Sequence, residues 1–305
     1  TEVSHPALGQ SVPSAFTAVP FDVERAERTL GDLRQRAEGL DDPALQADLK
    51  GLLDHDTPKA LMAVAFSNSA FLARTALREA AFLPRLFKVP PDVLLGRLLD
   101  QVRAETRSAA SQADAMHVLR TAKARAALLI AFADLAGVWS VADVTDALTR
   151  FADACLSGCV GWYLTDAAAK DKFQLTDPER PERNCGIAVI AMGKYGAGEL
   201  NYSSDIDITV FFERGRVPVG DGLEVQQFCI KLTRALVKMM QEPTADGYVF
   251  RTDLRLRPDA GATAVALSMD AAEQYYESLG QNWERAAMIK ARAAAGDVEA
   301  GKAFL

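Results

Sequence analysis

Gly193, Lys194, Tyr195, Gly196, Ala197 and Gly198 close an apolar run, and a few residues on, Ser203 and Ser204 lead into Asp205, Ile206 and Asp207. Alternate residues of a strand share a face, so the spacing predicts Asp205 and Asp207 side by side, with Ile206 and Ile208 facing the core. Two carboxylates held together repel unless a cation lies between them. Hard oxygen donors in that arrangement suit magnesium, which shares its coordination shell with phosphate oxygens. An Asp-x-Asp pair alone is weak, because surface strands and turns produce it constantly. A later stretch, Arg251 to Arg257 (RTDLRLR), adds weight: alternation sets Asp253, Arg255 and Arg257 on one face and Leu254 and Leu256 on the other. A carboxylate flanked by guanidiniums reads as a metal ligand beside a phosphate clamp, or as a solvated strand face laced with ion pairs. Glycine loop, paired carboxylates and a third carboxylate together form the ground plan of a two-metal nucleotidyl-transfer site.

Other phosphate motifs fail on spacing. Gly186 and Gly193 are separated by six residues and Tyr195 follows Lys194, which is not a Walker loop. Gly193, Gly196 and Gly198 do not space as G-x-G-x-x-G, and Val210 stands where an EF-hand loop starting at Asp205 needs glycine. His5, His55 and His117 lie far from the constellation, so a histidine acid, nucleophile or zinc site is not expected. Cys155 and Cys159 supply at most half of a zinc site, and all four cysteines sit in apolar contexts that predict core packing in a reducing cytoplasm.

Proline placement divides the elements that must hold this site. Eight prolines fall between Pro6 and Pro91, and the next is Pro178, which leaves an Ala-rich stretch permissive for helices. Leu94, Leu95, Leu98, Leu99 and Val102 form one apolar stripe, and Val141, Val144, Leu148, Phe151 and Cys155 another. Ser140 followed by Asp143 gives the second a cap. The pattern predicts an N-terminal extension over 1–20 and an all-helical bundle over 21–172, jointed near Pro43, Pro58 and Pro90. A polar linker follows at 173–184. An α/β domain with a small sheet follows at 185–297, making the whole a mostly helical α+β chain. Strands are expected at Cys185–Met192, Ile206–Phe212 and Tyr248–Leu256, a helix through Val225–Met240, and closing helices at Met269–Leu279 and Trp283–Ala295. The 305 residues carry 34 Lys and Arg against 41 Asp and Glu, a net charge of −7, which argues against a broad nucleic-acid footprint. No apolar stretch reaches the ~20 residues of a membrane helix, and residues 1–5 do not read as a secretory signal.

Three runs carry a specific likeness: Met192–Phe211 (MGKYGAGELNYSSDIDITVF), Arg251–Pro258 (RTDLRLRP) and Tyr275–Arg292 (YYESLGQNWERAAMIKAR). With FSNSAFLARTALREAAFLPRL near Phe66 and DLAGVWSVADVTDALTRFADACL at Asp134, they resemble the bacterial glutamine synthetase adenylyltransferase family, within the polymerase β-like nucleotidyltransferases. Family members carry two catalytic copies; the N-terminal copy removes AMP from glutamine synthetase and the C-terminal copy adds it. Ser203 and Ser204 before Asp205, together with WERAAMIKAR, resemble the removing half.

The resemblance implies phosphorolysis: phosphate attacks the AMP phosphorus on an adenylylated tyrosine, giving ADP and free enzyme. It implies two Mg2+ ions on Asp205, Asp207 and Asp253. Nucleotide and phosphate would be held by Gly193, Lys194, Gly196, Gly198, Ser203, Ser204, Arg255, Arg257 and Lys290. Adenylylated glutamine synthetase, phosphate and ADP or ATP are the implied partners, with a PII signalling protein acting through a longer chain. The implied setting is cytoplasmic, with neither nucleic acid nor membrane as partner. Forward adenylylation from ATP, or a nonenzymatic nucleotide-binding module, are the alternatives. Residues 298–305 are expected to open a truncated following segment. Two departures stand out: Ala197 occupies a position where the family has glycine, and Asp259–Leu267 lacks the usual glycine-proline turn.

Overall fold

Short polar residues fix the helix starts. Asp22 accepts the Arg25 N–H at 2.9 Å to open α2 (Val23–Glu38). Asp42 accepts the Ala44 N–H at 2.9 Å ahead of Pro43, the first residue of α3 (Pro43–Asp54). The computed structural model describes residues 5–11 and 19–305, so the extension expected over 1–20 lies partly outside the described residues. A short α1 (Leu8–Ser11) precedes these helices, and α4 (Asp56–Asn68), α5 (Ala70–Arg78), α6 (Leu83–Lys88), α7 (Pro91–Arg107), α8 (Gln112–Leu135) and α9 (Val141–Ala168) follow. Ser140 and Asp143 cap α9 reciprocally: the Asp143 carboxylate accepts the Ser140 N–H at 2.8 Å, and the Ser140 hydroxyl accepts the Asp143 N–H at 3.3 Å. The two expected stripes are buried apart from Val141, which sits in the first turn of α9 and is exposed.

The chain divides into two compact units, and the division falls inside α7, α8 and α9. In one unit, residues 1–98 and 122–147, the elements among the described residues are all helices, and Phe132 packs edge-on against Phe66 and Phe87 in its core. The other, residues 99–121 and 148–305, contains the sheet. Its strands are β1 (Ile187–Met192), β2 (Ile206–Phe212), β3 (Thr252–Asp253), β4 (Ala266–Ser268) and β5 (Arg292–Gly296), and its further helices are α10 (Gly193–Gly196), α11 (Val225–Gln241), α12 (Met269–Ser278), α13 (Asn282–Met288) and α14 (Val298–Phe304). The order is β3-β2-β1-β5, with β4 also pairing β2. β1 runs antiparallel to β2 and β5, whereas β3 and β4 lie parallel to β2. Ala188, Ile190, Met192 and Phe211 meet Met269, Ala272 and Ala300 in one buried cluster.

Two expectations change here. The third strand shrinks from Tyr248–Leu256 to Thr252–Asp253, after which the chain turns, so Arg255 and Arg257 do not continue its face. The closing helix expected over Trp283–Ala295 stops at Met288, and Arg292–Gly296 is a strand completing the sheet. The segment expected to open at 298 begins with a helix, Val298–Phe304, that packs on β1 and β5.

Arg120, fully buried on α8, holds the approach to β3. Its guanidinium donates to the carbonyls of Met239 at 3.1 Å, Glu242 at 2.5 Å and Gly247 at 2.8 Å, which fastens the end of α11 and the connector that leads to Asp253. Burial lowers the pKa of this group, and the carbonyl shell satisfies its donors.

Candidate active site

β1 ends beside the start of β2, where Met192 pairs with Asp207, and β3 brings Asp253 opposite Asp207 on the other side. Asp207 is thus flanked by the glycine segment and by a second carboxylate. Ile206 and Ile208 are fully buried, as the alternation predicts, while Asp205 and Asp207 remain partly accessible. Burial pushes the Asp207 carboxyl above its ordinary value, and the charges of Asp253 and Asp205 add to the shift. The three carboxylates therefore feel one another.

Gly193 is required by two constraints at once. Its φ is +58°, and a Cβ built there would lie 2.6 Å from Asp207 Oδ2. Expected as a loop, the glycine segment instead forms the single turn α10. Gly196 lets the chain pass close to the strand end, since a Cβ there would stand 2.2 Å from the Lys290 carbonyl oxygen. Ala197 is unstrained at φ −71°, and Gly198 takes the left-handed conformation at φ +76° instead. The second departure is also resolved: Asp259, at φ +39°, accepts the N–H groups of Ala262 at 3.0 Å and Thr263 at 2.9 Å, closing the turn without glycine-proline.

Arginines hold the two outer carboxylates. Arg251 Nε donates to Asp205 Oδ1 at 2.5 Å, and its Nη2 donates to the Ser203 carbonyl at 2.9 Å. Arg255 grips Asp253 through Nε at 2.9 Å and Nη2 at 2.5 Å, which lowers the Asp253 pKa, while its own side chain is 83% exposed. Among the described residues no three acidic, histidine or cysteine side chains form a ready-made metal cage. The donor set nevertheless fits a hard divalent cation: three neighbouring carboxylates, the central one half-buried and paired with no arginine, the outer two each on an exposed guanidinium.

The remaining expected residues are placed as follows. Lys194 is exposed at the site. Ser203 and Ser204 sit in a turn organised by Asn201, whose Oδ1 accepts the Ser203 N–H at 3.1 Å and the Ser204 hydroxyl at 2.8 Å. Lys290 pairs with Glu199 at 3.2 Å. Arg257 points into its own loop, donating to the carbonyls of Leu254 at 2.9 Å, Ala260 at 2.6 Å and Thr263 at 3.3 Å. A guanidinium so committed is a loop brace.

Sequence reasoning missed the support beneath α10. Tyr195 is fully buried and donates its hydroxyl to Asp153 Oδ1 at 2.5 Å. Arg292, the first residue of β5, meets the same carboxylate at 2.8 and 2.9 Å, and its guanidinium stacks 5.3 Å from the Tyr195 ring centre. Burial, and then Asp153, drive the Tyr195 pKa well up, so the phenol stays a donor. Asp153 and Arg292 lie 139 residues apart, so no local pattern marks them. Arg251 was legible, sharing the alternation with Asp253.

Neighbouring carboxylates at the end of a small mixed sheet, beside a glycine turn, are the arrangement expected of a nucleotidyltransferase site. The sequence pattern of the family described as glutamate-ammonia ligase adenylyltransferase matches residues 59–305, and the chain belongs to that family. The protein named bifunctional glutamine synthetase adenylyltransferase/adenylyl-removing enzyme in Bradyrhizobium sp. strain BTAi1 is 42% identical over 301 residues, covering 98% of this chain and 30% of that protein. The protein of the same name in Xanthobacter autotrophicus strain Py2 is 46% identical over 285 residues, 93% of this chain and 28% of its own length. The chain therefore spans about 30% of the length of these curated relatives. Among the described residues no helix is long and apolar enough to cross a membrane.

Proposed function

We propose that this chain removes AMP from an adenylylated tyrosine of glutamine synthetase by phosphorolysis, releasing ADP and the unmodified enzyme. The observation that carries the reading is the coupled trio Asp205, Asp207 and Asp253 beside Gly193, in a chain whose Ser203–Asp205 and Trp283–Arg292 segments resemble the removing half of the family. A phosphate oxygen forms the new bond to the AMP phosphorus and the bond to the tyrosine oxygen breaks, with the phenolate taking its proton from solvent. A phenol has a pKa near ~10, so its departure needs no strong protein acid.

Asp205, Asp207 and Asp253 would hold two Mg2+ ions, which supply charge neutralisation to phosphoryl oxygens and the leaving phenolate. Released from the outer carboxylates, Arg251 and Arg255 turn to phosphate oxygens, for which a guanidinium fork is matched. Lys194 and Lys290 add charge at the same end of the sheet, the Ser203 and Ser204 hydroxyls face the nucleotide, and Gly193, Gly196 and Gly198 keep the backbone close to it. Arg257 stays with its loop. A PII signalling protein would act through the rest of a longer chain, in the cytoplasm.

The test is incubation of the chain with adenylylated glutamine synthetase, phosphate and Mg2+. Phosphate-dependent release of ADP is the expected result. Labelling of unmodified glutamine synthetase from radioactive ATP, without ADP release, reverses the direction and leaves the site in place.

A further inference from the structure

At the opposite end of β1 the sheet unit contains a cavity of about 580 Å³ that the reaction above does not use. Its wall includes Arg103 and Arg107 from α7, Arg180 and Arg183 from the turn before β1, and Glu182 and Asp297. Gly296, also in the wall, pairs with Ala188, near the start of β1, whereas Gly193 follows its last residue. At roughly 3.4 Å per residue the five steps from Ala188 to Gly193 span about 17 Å, so this cavity and the carboxylate trio are separate places.

The charges here are unevenly matched. Asp297 is committed to the backbone, accepting the N–H groups of Gly186 at 3.2 Å and Ala300 at 3.1 Å. Glu182 is likewise engaged, accepting the Ser157 hydroxyl and the Gly296 N–H, the latter at 2.8 Å. Its carboxyl is pushed up to about 7 by burial, so near neutrality it carries only part of a charge. Arg107 donates to the carbonyl of Glu179 at 2.5 Å, which offsets none of its charge, and Arg103 has only a 3.4 Å contact with the exposed Asp100. Arg180 and Arg183 form no ion pair among the described residues. Four guanidiniums therefore face one cavity against a partly ionised Glu182 and two carboxylates that already have cations beside them, Asp297 at 3.8 Å from Arg216 and Glu299 at 2.9 Å from Lys302, which leaves an excess of positive charge in a chain whose net charge is −7. Like charges gathered in a concave site raise the local potential and draw counterions of opposite sign.

The wall is rigid where it matters. Gly158 brings α9 so near α7 that a Cβ on it would lie 2.9 Å from Thr106 Cβ, which fixes the helix turn that carries Arg103 and Arg107. The volume is that of a small-metabolite site.

We propose that this cavity binds a small, multiply charged oxyanion, a molecule bearing phosphate or carboxylate groups, through Arg103, Arg107, Arg180 and Arg183. The arginine forks grip its oxygens in pairs, and Glu182 weakens the grip once ionised. The proposal is independent of the direction of adenylyl transfer.

Calorimetric titration of the whole chain without Mg2+ tests it, using inorganic pyrophosphate and citrate in separate arms at constant ionic strength set with sodium chloride. Binding of pyrophosphate alone assigns a phosphate-bearing ligand, and binding of citrate alone a carboxylate; each supports the site. Arg103→Gln should weaken the binding tenfold or more. Arg183→Gln, in an exposed turn where folding is not at stake, should do the same. Asp207→Asn should leave it unchanged, and Glu182→Gln should tighten it at pH 8. Absence of heat beyond the chloride control in both arms overturns the proposal. So does binding that survives both arginine changes but responds to Asp207→Asn.

Discussion

Replacing Asp153 by Asn removes the charge to which Arg292 and Tyr195 both point, while keeping nearly the same volume. The structure fixes what is lost: two charged hydrogen bonds from Arg292 at 2.8 and 2.9 Å and one from the Tyr195 hydroxyl at 2.5 Å. Removing one partner of a fully buried pair costs about 3–5 kcal/mol, and an exposed pair is worth at most ~1 kcal/mol. The Asp153 side chain is 20% exposed and that of Arg292 33%, which places the cost between these limits at roughly 2–3 kcal/mol. For a unit of this size that corresponds to a fall in Tm of about 5–10 °C. Turnover should fall as well, because Tyr195 lies in the α10 turn against Asp207, and a shift of about 1 Å in a reacting group costs ~100-fold. The effect belongs on kcat more than on KM, since the Asp153 carboxylate is taken up by Tyr195 and Arg292 and acts through α10. Calorimetry and the ADP-release assay read the two quantities. Adding Arg292→Met to Asp153→Asn should recover part of the lost stability by removing the stranded cation, with a coupling energy above ~1 kcal/mol. An Asp153→Asn chain melting within about 1 °C of the parent, with unchanged kcat, would refute the reasoning.

Asp207→Asn should lower turnover about a thousandfold or more while Tm holds or rises, because a poorly solvated charge facing Asp253 and Asp205 is removed; parallel activity and melting measurements check this. Arg257→Ala should act on stability rather than on ligand affinity, freeing the carbonyls of Leu254, Ala260 and Thr263 and exposing the 254–263 loop to limited proteolysis. Glu182 should make stability depend on pH. Its folded pKa of about 7 stands above the ordinary 4.5, so its favourable contribution is complete below about pH 4.5 and is lost as pH rises through 7. Arg103 and Arg107 from α7, Arg180 and Arg183 from the turn, and Asp297 and Glu299 from the start of α14 face the same cavity. Denaturant melts of Glu182→Gln and the parent should therefore converge near pH 4.5 and diverge above pH 7, with the variant more stable.

What could be read from the sequence was whatever depends on near neighbours. The stripe at Leu94–Val102, the Ser140 cap and the shared face of Asp205 and Asp207 each follow from periods of a few residues, and each is present. Arg292–Gly296 was misread because alanine favours helix when only local preference is weighed. In the sheet the same small side chains let β5 lie against β1 and leave room for α14, where a Cβ on Gly301 would come within 2.9 Å of Ala293. Tertiary packing decided that segment.

Arg255 and Arg257 show how an alternation read from the sequence can outrun the strand that carries it. The period placed them with Asp253, but β3 is paired for only two residues, since β4 takes over the flank of β2 at Val210. Released from the ladder, the chain turns, and the two arginines part: Arg255 folds back onto Asp253 and Arg257 is drawn into three carbonyls. A strand pattern states which face a residue would take if pairing continued, and the length of pairing is set by distant partners. The arginine that does share the face of Asp253 lies on the other side of it: Arg251, whose guanidinium ties Asp205 to the Ser203 carbonyl. The carboxylate trio is thereby held with an arginine on each outer member and none on Asp207. Under the proposed reaction, Asp207 is the carboxylate on which a divalent cation would meet no guanidinium, with Arg251 and Arg255 on either side of it.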